Sequence, residues 1–321
     1  MKTIVAGVDI GGTNTVLGLV TRDGDCIAET NFPTQTHSNF SKYLEQIATE
    51  VLLLIKRQPD EFKLVGVGVG APNGCYNTGN IVDAANLRWK GSLPLASGLK
   101  ALLNVPVAIS NDANAAALGE MLFGGAKGMK NFIVVTLGTG LGSGLVVDGK
   151  LVLGSDGFAG ELGHTAVKAY GRQCGCGKAG CLETYVSAPG LRRTAFKLLA
   201  DSIEPSALRN YSYDQISARQ IANLADQGDS ISLEAFEYTG AILGMKLADV
   251  VALLSPEAIF LFGGLSKAGR HIFEPTKRHM EKNLFPIFKN KVQLLPSALK
   301  GKNAAVLGAA ALIFQNLDNN L

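Results

Sequence analysis

The segment Asp9-Ile10-Gly11-Gly12-Thr13 decides the fold, because it joins an apolar, β-branched run at residues 3–9 to a second strand-like run at residues 15–21. Glycine has no Cβ, so the backbone N–H groups of such a turn can approach an anion, and phosphate or its magnesium ion is the natural ligand for a turn that follows a carboxylate. An ordinary hairpin turn with a capping Asp has the same pattern. The segment therefore predicts a β-hairpin, and phosphate binding needs support from elsewhere in the chain.

The order of this opening recurs later in the chain. A strand at residues 132–136 leads to the turn Gly138-Thr139-Gly140 and a strand at residues 144–147, and an Asp-Gly turn follows both copies. With Gly11 aligned to Gly138, we expect the later loop to be two residues tighter. No helix pattern follows the second glycine turn directly, so a Rossmann dinucleotide fingerprint fits poorly. The repeat predicts a duplicated fold with two facing turns that hold a nucleotide.

The rest of the chain alternates strand and helix patterns, which implies a layered α/β fold. Apolar runs predict strands at residues 26–32, 63–70, 105–110 and 258–262, with a loop at residues 71–94. Helices are predicted at residues 39–56, 115–122, 189–200, 215–227, 231–254, 268–283 and 302–315. Asp112 and Asn114 are predicted to cap the helix at 115–122. Gly263 and Gly264 follow a strand, where the backbone can pass close to a flat ring such as adenine, although a plain β-to-α turn has the same sequence.

Composition narrows the class of protein. At 321 residues, the chain suits two domains or one large α/β unit with a cleft. The net charge of +3 is small and dispersed, which argues against nucleic-acid binding and favours a small polar ligand. The amino-terminal apolar run is interrupted by Asp9, and the most apolar helical stretch, residues 241–254, contains Lys246 and Asp249. We therefore expect a cytoplasmic protein with no membrane partner.

Three cysteines, Cys174, Cys176 and Cys181, lie close together in a glycine-rich loop. In a reducing cytosol this clustering favours a metal over a disulfide, and His164 can supply a fourth tetrahedral ligand. The pattern predicts a Cys3His zinc site, which is structural because no coordination position stays open. A redox cysteine pair and a chance cluster of reduced cysteines are the alternatives.

Carboxylate and amide side chains flank the predicted zinc loop and the helix at residues 115–122. A sugar hydroxyl both donates and accepts hydrogen bonds, so Asp, Glu and Asn side chains satisfy it. Taken singly, each such residue reads as a surface acid or a helix cap. If the fold brings them together, the candidates for holding a sugar are Asn86, Asn111, Asp112, Glu161, His164 and Glu183.

Over nearly the whole chain, these motifs resemble the ROK family (repressors, open reading frames and kinases), sugar kinases of the actin-like ATPase superfamily. The Glu-x-x-His motif and the CxCGxxGC loop after it are the most specific. The segments that carry the resemblance are residues 9–13, 110–114, 137–140, 160–164, 174–183 and 262–264. The resemblance implies a two-domain, ribonuclease H-like fold with a cleft between the domains. The small α/β domain would contain residues 1–111 and the C-terminal helix 302–321, and the large α/β domain with the zinc loop residues 112–301.

The resemblance also implies an ATP-dependent hexose kinase in which Asp112 is the general base. Sugar contacts would come from Asn86, Asn111, Glu161, His164 and Glu183, and zinc ligands from His164, Cys174, Cys176 and Cys181. For ATP, Asp9 would face Mg²⁺, the phosphates would lie at Gly11, Gly12, Thr13, Gly138, Thr139 and Gly140, and adenosine near Gly263 and Gly264. Asn14 departs from the family pattern, which commonly has Lys there, so that position offers no cation to a phosphate.

The motifs around Asn86 and Glu161 resemble the members that convert glucose to glucose 6-phosphate. Relatives acting on N-acetylglucosamine, N-acetylmannosamine, fructose or mannose share the zinc loop, and the family usually forms homodimers. A sugar-responsive repressor is the alternative of another class. We disfavour it because Asp9 lies only eight residues from the start, which leaves no room for a helix-turn-helix. An inert sugar-binding module would need damage at the base or the phosphate turns, and both are intact.

Overall fold

Two five-stranded sheets organise the chain, for which a computed structural model describes residues 2–59, 61–299 and 304–319. The elements up to the second sheet are β1 (Lys2–Ile10), β2 (Asn14–Thr21), β3 (Cys26–Pro33), α1 (Phe40–Lys56), β4 (Phe62–Gly70), β5 (Gly74–Cys75), β6 (Asn80–Val82), β7 (Ser92–Leu93), α2 (Leu95–Leu103), β8 (Val107–Ser110) and α3 (Asp112–Phe123). They are followed by β9 (Phe132–Leu137), β10 (Leu141–Val147), β11 (Lys150–Leu151), α4 (Ala188–Asp201), α5 (Ala218–Asp226), α6 (Ser230–Leu254), β12 (Ala258–Phe262), α7 (Arg270–Asn283), β13 (Gln293–Pro296) and α8 (Ala304–Asn319).

The two sheets have equivalent strand orders, β3-β2-β1-β4-β8 and β11-β10-β9-β12-β13. In each sheet the first three strands pair antiparallel, and the remaining two pair parallel in the direction of the first strand. The internal repeat predicted from the sequence is therefore present in the strand order, and the alternating strands and helices form the layered α/β fold that was predicted.

The later glycine turn is tighter than the first by one residue, whereas the sequence predicts a difference of two. The pair Ile10–Thr15 closes the first turn, which contains residues 11–14, and the pair Leu137–Leu141 closes the second, which contains residues 138–140. The other extra residue of the first copy is Arg22, which precedes the first Asp-Gly turn. The strand pairing is thus conserved between the copies, and the difference is divided between the glycine turn and the exposed end of the hairpin.

The C-terminal helix α8 packs directly on the first sheet, and glycines in the strands make this approach possible. A Cβ at Gly7 would lie 2.1 Å from the carbonyl oxygen of Val306, and one at Gly68 would lie 1.8 Å from that of Ala309. Any larger side chain at either position would force the helix off the sheet. The end of the chain therefore belongs structurally with its beginning.

The buried side chain of Glu120 forms hydrogen bonds with both segments of the chain that connect the two sheets. It lies on α3, which leads from the first sheet to the second, and it is fully buried. Its carboxylate accepts hydrogen bonds from the N–H groups of Gly125 at 2.8 Å and Ala298 at 3.1 Å, and from the hydroxyl of Ser297. Residues 297–299 lead back from the second sheet toward α8. One side chain thus connects both passages, about two helical turns from Asp112.

Several local predictions were wrong. The predicted loop at 71–94 contains a small antiparallel sheet, β5-β6-β7, and the helix α2 follows it. Asn111 caps α3, because its backbone is extended and its Oδ1 accepts the N–H of Asn114 at 2.7 Å; Asp112 is the first helical residue. The helix expected at 268–283 begins at Arg270, after a short 3-10 turn. Of the helix expected at 302–315, residues 302–303 lie outside the described part of the chain.

In the described ranges, we find no helix with both the length and the apolar character needed to cross a bilayer.

Candidate active site

A cleft of about 470 Å³ lies where the ends of β1, β9 and β12 approach the start of α3. Many of the residues singled out in the sequence form its walls. Those that line the cleft are Asp9, Gly11, Asn86, Asn111, Asp112, Gly138, Thr139, Gly140, Glu161, His164, Glu183 and Gly263. Gly12, Thr13 and Gly264 do not line it, although Gly12 and Thr13 belong to the turn at its edge. The fold therefore gathers most of the candidates around one space.

Asp112 stands at the amino-terminal end of α3, with its side chain open to the cleft. Its Oδ1 accepts the N–H of Ala113 at 2.9 Å, an interaction that favours the ionised form. Burial nevertheless raises the pKa of Asp112, because protein crowds the carboxylate on the sides that do not face the cleft. A carboxylate held in place with a raised pKa is a stronger base than an ordinary one.

Asp9, at the end of β1, is the second carboxylate at this end of the cleft. Burial and, to a lesser degree, the negative charge of Asp112 raise its pKa to about 6. Gly70 separates the two acids, since a Cβ placed there would lie 3.8 Å from Oδ1 of Asp9 and 3.9 Å from Cα of Asp112. Two like charges that are partly buried side by side repel each other, so a cation bound next to both would stabilise them.

Glu161, His164 and Glu183 form the opposite wall. The Nε2 atom of His164 lies 3.9 Å from Oε2 of Glu161, and Glu183 accepts the N–H of Leu141 at 3.0 Å. Burial raises the pKa of Glu161, His164 opposes this effect, and the charges of Asp112 and Glu183 add to it. The charges of Asp112 and Glu183 are thus close enough to affect the pKa of Glu161. The oxygens of these carboxylates can accept hydrogen bonds from a polar ligand in the cleft.

The other ring nitrogen of His164 faces the cysteine loop. Its Nδ1 atom lies 3.6 Å from the sulfur of Cys174, and the sulfurs of Cys176 and Cys181 are 3.7 Å apart. The four ligand atoms all lie within 4.8 Å of one another. In a zinc tetrahedron with Zn–S near 2.3 Å and Zn–N near 2.0 Å, S···S edges are about 3.8 Å and S···N edges about 3.5 Å. The donor set and its spacing fit a tetrahedral zinc ion.

Two further cavities continue from the cleft, and the first of them begins at the second glycine turn. Thr139 lines both the cleft and a cavity of about 290 Å³ against the start of α4, which also contains Arg192. Ala218 connects this space to a cavity of about 590 Å³ that includes Gly264 and Lys267. The three spaces form a series that runs from the cleft to the start of α5.

Sequence reasoning missed several residues of the cleft. Pro72 and Asn73 line it from the predicted loop, and Thr136 and Phe262 line it from the strand ends. The Pro-Asn-Gly sequence at residues 72–74 is a turn signal that points to this position, and Asn73 indeed adopts the left-handed conformation with φ of 50°. Thr136 and Phe262 lie beside glycine motifs that the sequence marks, but nothing local shows that their own side chains line the cleft, because that depends on how their strands pair.

Comparisons with known proteins agree with this geometry. The model of the ROK family matches residues 5–316. A glucokinase of Halalkalibacterium halodurans is 35% identical over 316 residues, which are 96% of this chain and 94% of that protein. A xylose repressor of Bacillus spizizenii is 29% identical over 317 residues, covering 97% of this chain and 77% of the repressor. The crystal structure of a ROK family glucokinase from Streptomyces griseus, in complex with glucose and AMPPNP, aligns with a TM-score of 0.80 and 32% identity over 97% of this chain and 99% of that one.

Proposed function

The chain belongs to the ROK family, with its actin-like ATPase fold, and we propose that it is an ATP-dependent hexose kinase that converts glucose to glucose 6-phosphate. One observation carries the proposal. A single cleft brings Asp112 together with both glycine turns and with Glu161 and Glu183. The glucokinase from Streptomyces griseus, with the same fold, binds glucose and AMPPNP. The cleft therefore has the groups that a sugar, a nucleotide and a proton transfer require.

Asp112 acts as the general base. It orients the 6-hydroxyl of glucose and takes its proton as the oxygen attacks the γ-phosphorus of ATP and the bond to ADP breaks. The raised pKa supports this role, because the carboxylate then holds the proton more strongly. Base catalysis of this kind contributes roughly 10²- to 10⁴-fold to the rate. The hydrogen bond from the N–H of Ala113 fixes the carboxylate for the transfer.

The charge of the cleft explains why ATP would enter with magnesium. Among the described residues that line it, four are carboxylates, namely Asp9, Asp112, Glu161 and Glu183, and none is Lys or Arg. Polyphosphate alone would be repelled by this surface. Magnesium, when bound, neutralises the phosphates and the charge that develops on them. Asp9 is the residue to face it, because burial and, to a lesser degree, the charge of Asp112 raise its pKa to about 6, and a cation beside its carboxylate would offset both effects.

The glucose hydroxyls would be held by Asn86, Asn111, Glu161, His164 and Glu183. Amides and carboxylates together match groups that both donate and accept. The zinc ion would be structural, bound by His164, Cys174, Cys176 and Cys181, and it would fix the ring of His164 so that Nε2 faces the sugar. The contacts at Nδ1 and Nε2 support this division of roles.

The nucleotide would extend from the cleft along the adjoining cavities. Its phosphates would lie between Gly11–Thr13 and Gly138–Gly140, and its adenosine near Gly263 and Gly264. The path from Thr139 to the cavity containing Gly264 supports this placement. The glycines let the backbone approach the ligand closely.

The same proposal includes two domains, residues 1–111 with 302–321 and residues 112–301, that close on the substrates and exclude water. The packing of α8 on the first sheet supports the first grouping. A homodimer in the cytoplasm is also part of the proposal, and family membership supports the dimer.

The proposal is tested by incubating the purified protein with ATP, magnesium and a panel of sugars, and by identifying phosphorylated products with ³¹P NMR. Glucose 6-phosphate is the expected product, and mannose, fructose, N-acetylglucosamine and N-acetylmannosamine are the competitors. If no sugar in the panel is phosphorylated, the kinase proposal is wrong. Sugar binding without phosphorylation would favour a regulator, the role of the xylose repressor that the chain also resembles.

A further inference from the structure

The short turn at residues 34–36, which we call the bridging turn, holds all three carbonyl groups of the first glycine turn. The hydroxyl of Thr34 donates to the oxygen of Gly11 at 2.7 Å, and its N–H donates to the oxygen of Thr13 at 2.9 Å. The side-chain amide of Gln35 donates to the oxygen of Gly12 at 2.8 Å. In a trans peptide the N–H points opposite to the C=O. The bridging turn therefore directs the N–H groups that follow these carbonyls away from itself, as donors for a phosphate.

The same amide of Gln35 also reaches Asn86. Its Nε2 atom donates to the carbonyl oxygen of Asn86 at 3.2 Å, as well as to that of Gly12. Asn86 and the glycine turn are in direct contact, since a Cβ at Gly12 would lie 3.2 to 3.4 Å from atoms of Asn86. One NH2 group thus joins a residue proposed to hold the sugar to a turn proposed to hold ATP.

Two further contacts keep the loop that carries Asn86 against the bridging turn. Arg88 donates to the carbonyl oxygen of Gln35 at 3.0 Å, and the indole N–H of Trp89 donates to the oxygen of Ser38 at 3.1 Å. The ring of Trp89 is buried. The loop is therefore anchored beside Gln35, while the Gln35 amide makes its direct link to the glycine turn.

We propose that Gln35 is a positioning residue that couples nucleotide binding to sugar binding. It is not among the described residues that line the cleft, so it acts through Gly12 and Asn86. A nucleotide that orders the first glycine turn fixes the carbonyl of Gly12, and with it the orientation of the Gln35 amide. That amide then holds Asn86 in the geometry that receives the sugar. The inference rests on the proposed function, because it assigns the two ends of the link to ATP and to glucose.

Thermodynamic linkage makes the coupling reciprocal: each ligand tightens the binding of the other by the same factor. One hydrogen bond from an exposed amide contributes modestly. We therefore expect the loss of the amide to reduce the coupling factor by about fivefold, within the usual range for coupled sites. Each binary affinity should change less than the coupling does.

The test is isothermal titration of glucose into the full-length protein, with and without saturating AMPPNP and magnesium. The variant is Gln35→Met, which keeps the length of the side chain and removes its donors. Gln58→Met is the matched control, because the amide of Gln58 donates to the carbonyl oxygen of Leu54 within α1 at 3.3 Å and has no role at the cleft. Trp89, the one tryptophan of the chain, reports the state of the loop by fluorescence.

The inference predicts that AMPPNP tightens glucose binding in the wild type and in Gln58→Met, and that this effect is about fivefold smaller in Gln35→Met at an unchanged melting temperature. Full coupling in Gln35→Met would overturn it. A wild type that binds both ligands without coupling would also overturn it, while leaving the proposed function intact. A wild type that binds neither ligand would refute the proposed function itself.

Discussion

Replacing Asp9 with asparagine should stabilise the protein while impairing its activity. Burial and the charge of Asp112 raise the pKa of Asp9 from 3.8 to about 6. The folded protein then binds a proton more tightly than the unfolded chain does between these two values. Stability conferred by the neutral acid is therefore lost as the pH rises from about 4 to 6, and the ionised Asp9 destabilises the fold at neutral pH. The amide in the Asp9→Asn variant has no charge to bury.

The expected change in the free energy of unfolding follows from the shift in the pKa of Asp9. A pKa shift of about two units means that, above pH 7, the free energy of unfolding of Asp9→Asn should exceed that of the wild type by at most about 3 kcal/mol. At pH 5 the same relation gives about 1.5 kcal/mol, because most of the folded wild-type protein still has Asp9 protonated. Solvent that reaches the cleft reduces both values, but the advantage of the variant should still grow with pH.

The measurement is urea-induced unfolding of the zinc-loaded protein without magnesium at pH 5 and pH 8. Asp23→Asn, in the exposed first Asp-Gly turn, controls for the loss of one negative charge and should show little change. A variant less stable than the wild type at pH 8, or an advantage that does not depend on pH, would refute the reasoning. The variant should also lose kinase activity, since Asp9 is proposed to face magnesium.

Two other predictions concern the zinc loop and the crossing between the sheets. Elemental analysis should find about one zinc per chain, lost in Cys176→Ser but retained in Cys75→Ser; active wild-type protein that contains no zinc would contradict the zinc site. Glu120→Ala should lower the free energy of unfolding by about 3 kcal/mol, because it leaves buried N–H donors unpaired. Glu61→Ala, which breaks an exposed ion pair, should cost under about 1 kcal/mol, and equal losses in urea unfolding would contradict the role of Glu120.

The strand-turn-strand units were predictable because their signals are local. An apolar run, a glycine turn and an Asp-Gly turn occur in order in both halves, and the structure forms an antiparallel hairpin at each. The order of the sheets beyond the hairpins was not predictable in this way. The edge strands β11 and β13 are short, and their pairing depends on partners distant in sequence.

Helix α2 shows how tertiary packing overrides a local signal. Gly98 lies in its middle, a feature that argues against a helix when the sequence is considered alone. In the structure a Cβ at Gly98 would lie 2.5 Å from the side chain of Leu44 on α1. The glycine that weakens the helix locally is thus what allows the two helices to pack.

The residues of the candidate site also fall into two groups, those that the sequence could predict and those that it could not. Residues in strand-end motifs, such as Asp9 and Asp112, could be singled out because the motif itself predicts their position. Gln35 could not, since its significance appears only when residues far apart in sequence meet at one amide group. Sequence patterns therefore identify the groups that contact a ligand better than those that hold these groups in place.

The most direct test of the kinase account compares the wild type with Asp112→Asn in a coupled assay of glucose phosphorylation. The substituted amide keeps the shape of the Asp112 side chain and can still accept the N–H of Ala113, but it cannot take a proton. We predict that kcat falls by roughly 10²- to 10⁴-fold while the variant still folds and binds AMPPNP. Turnover close to that of the wild type would contradict the assignment of Asp112 as the base.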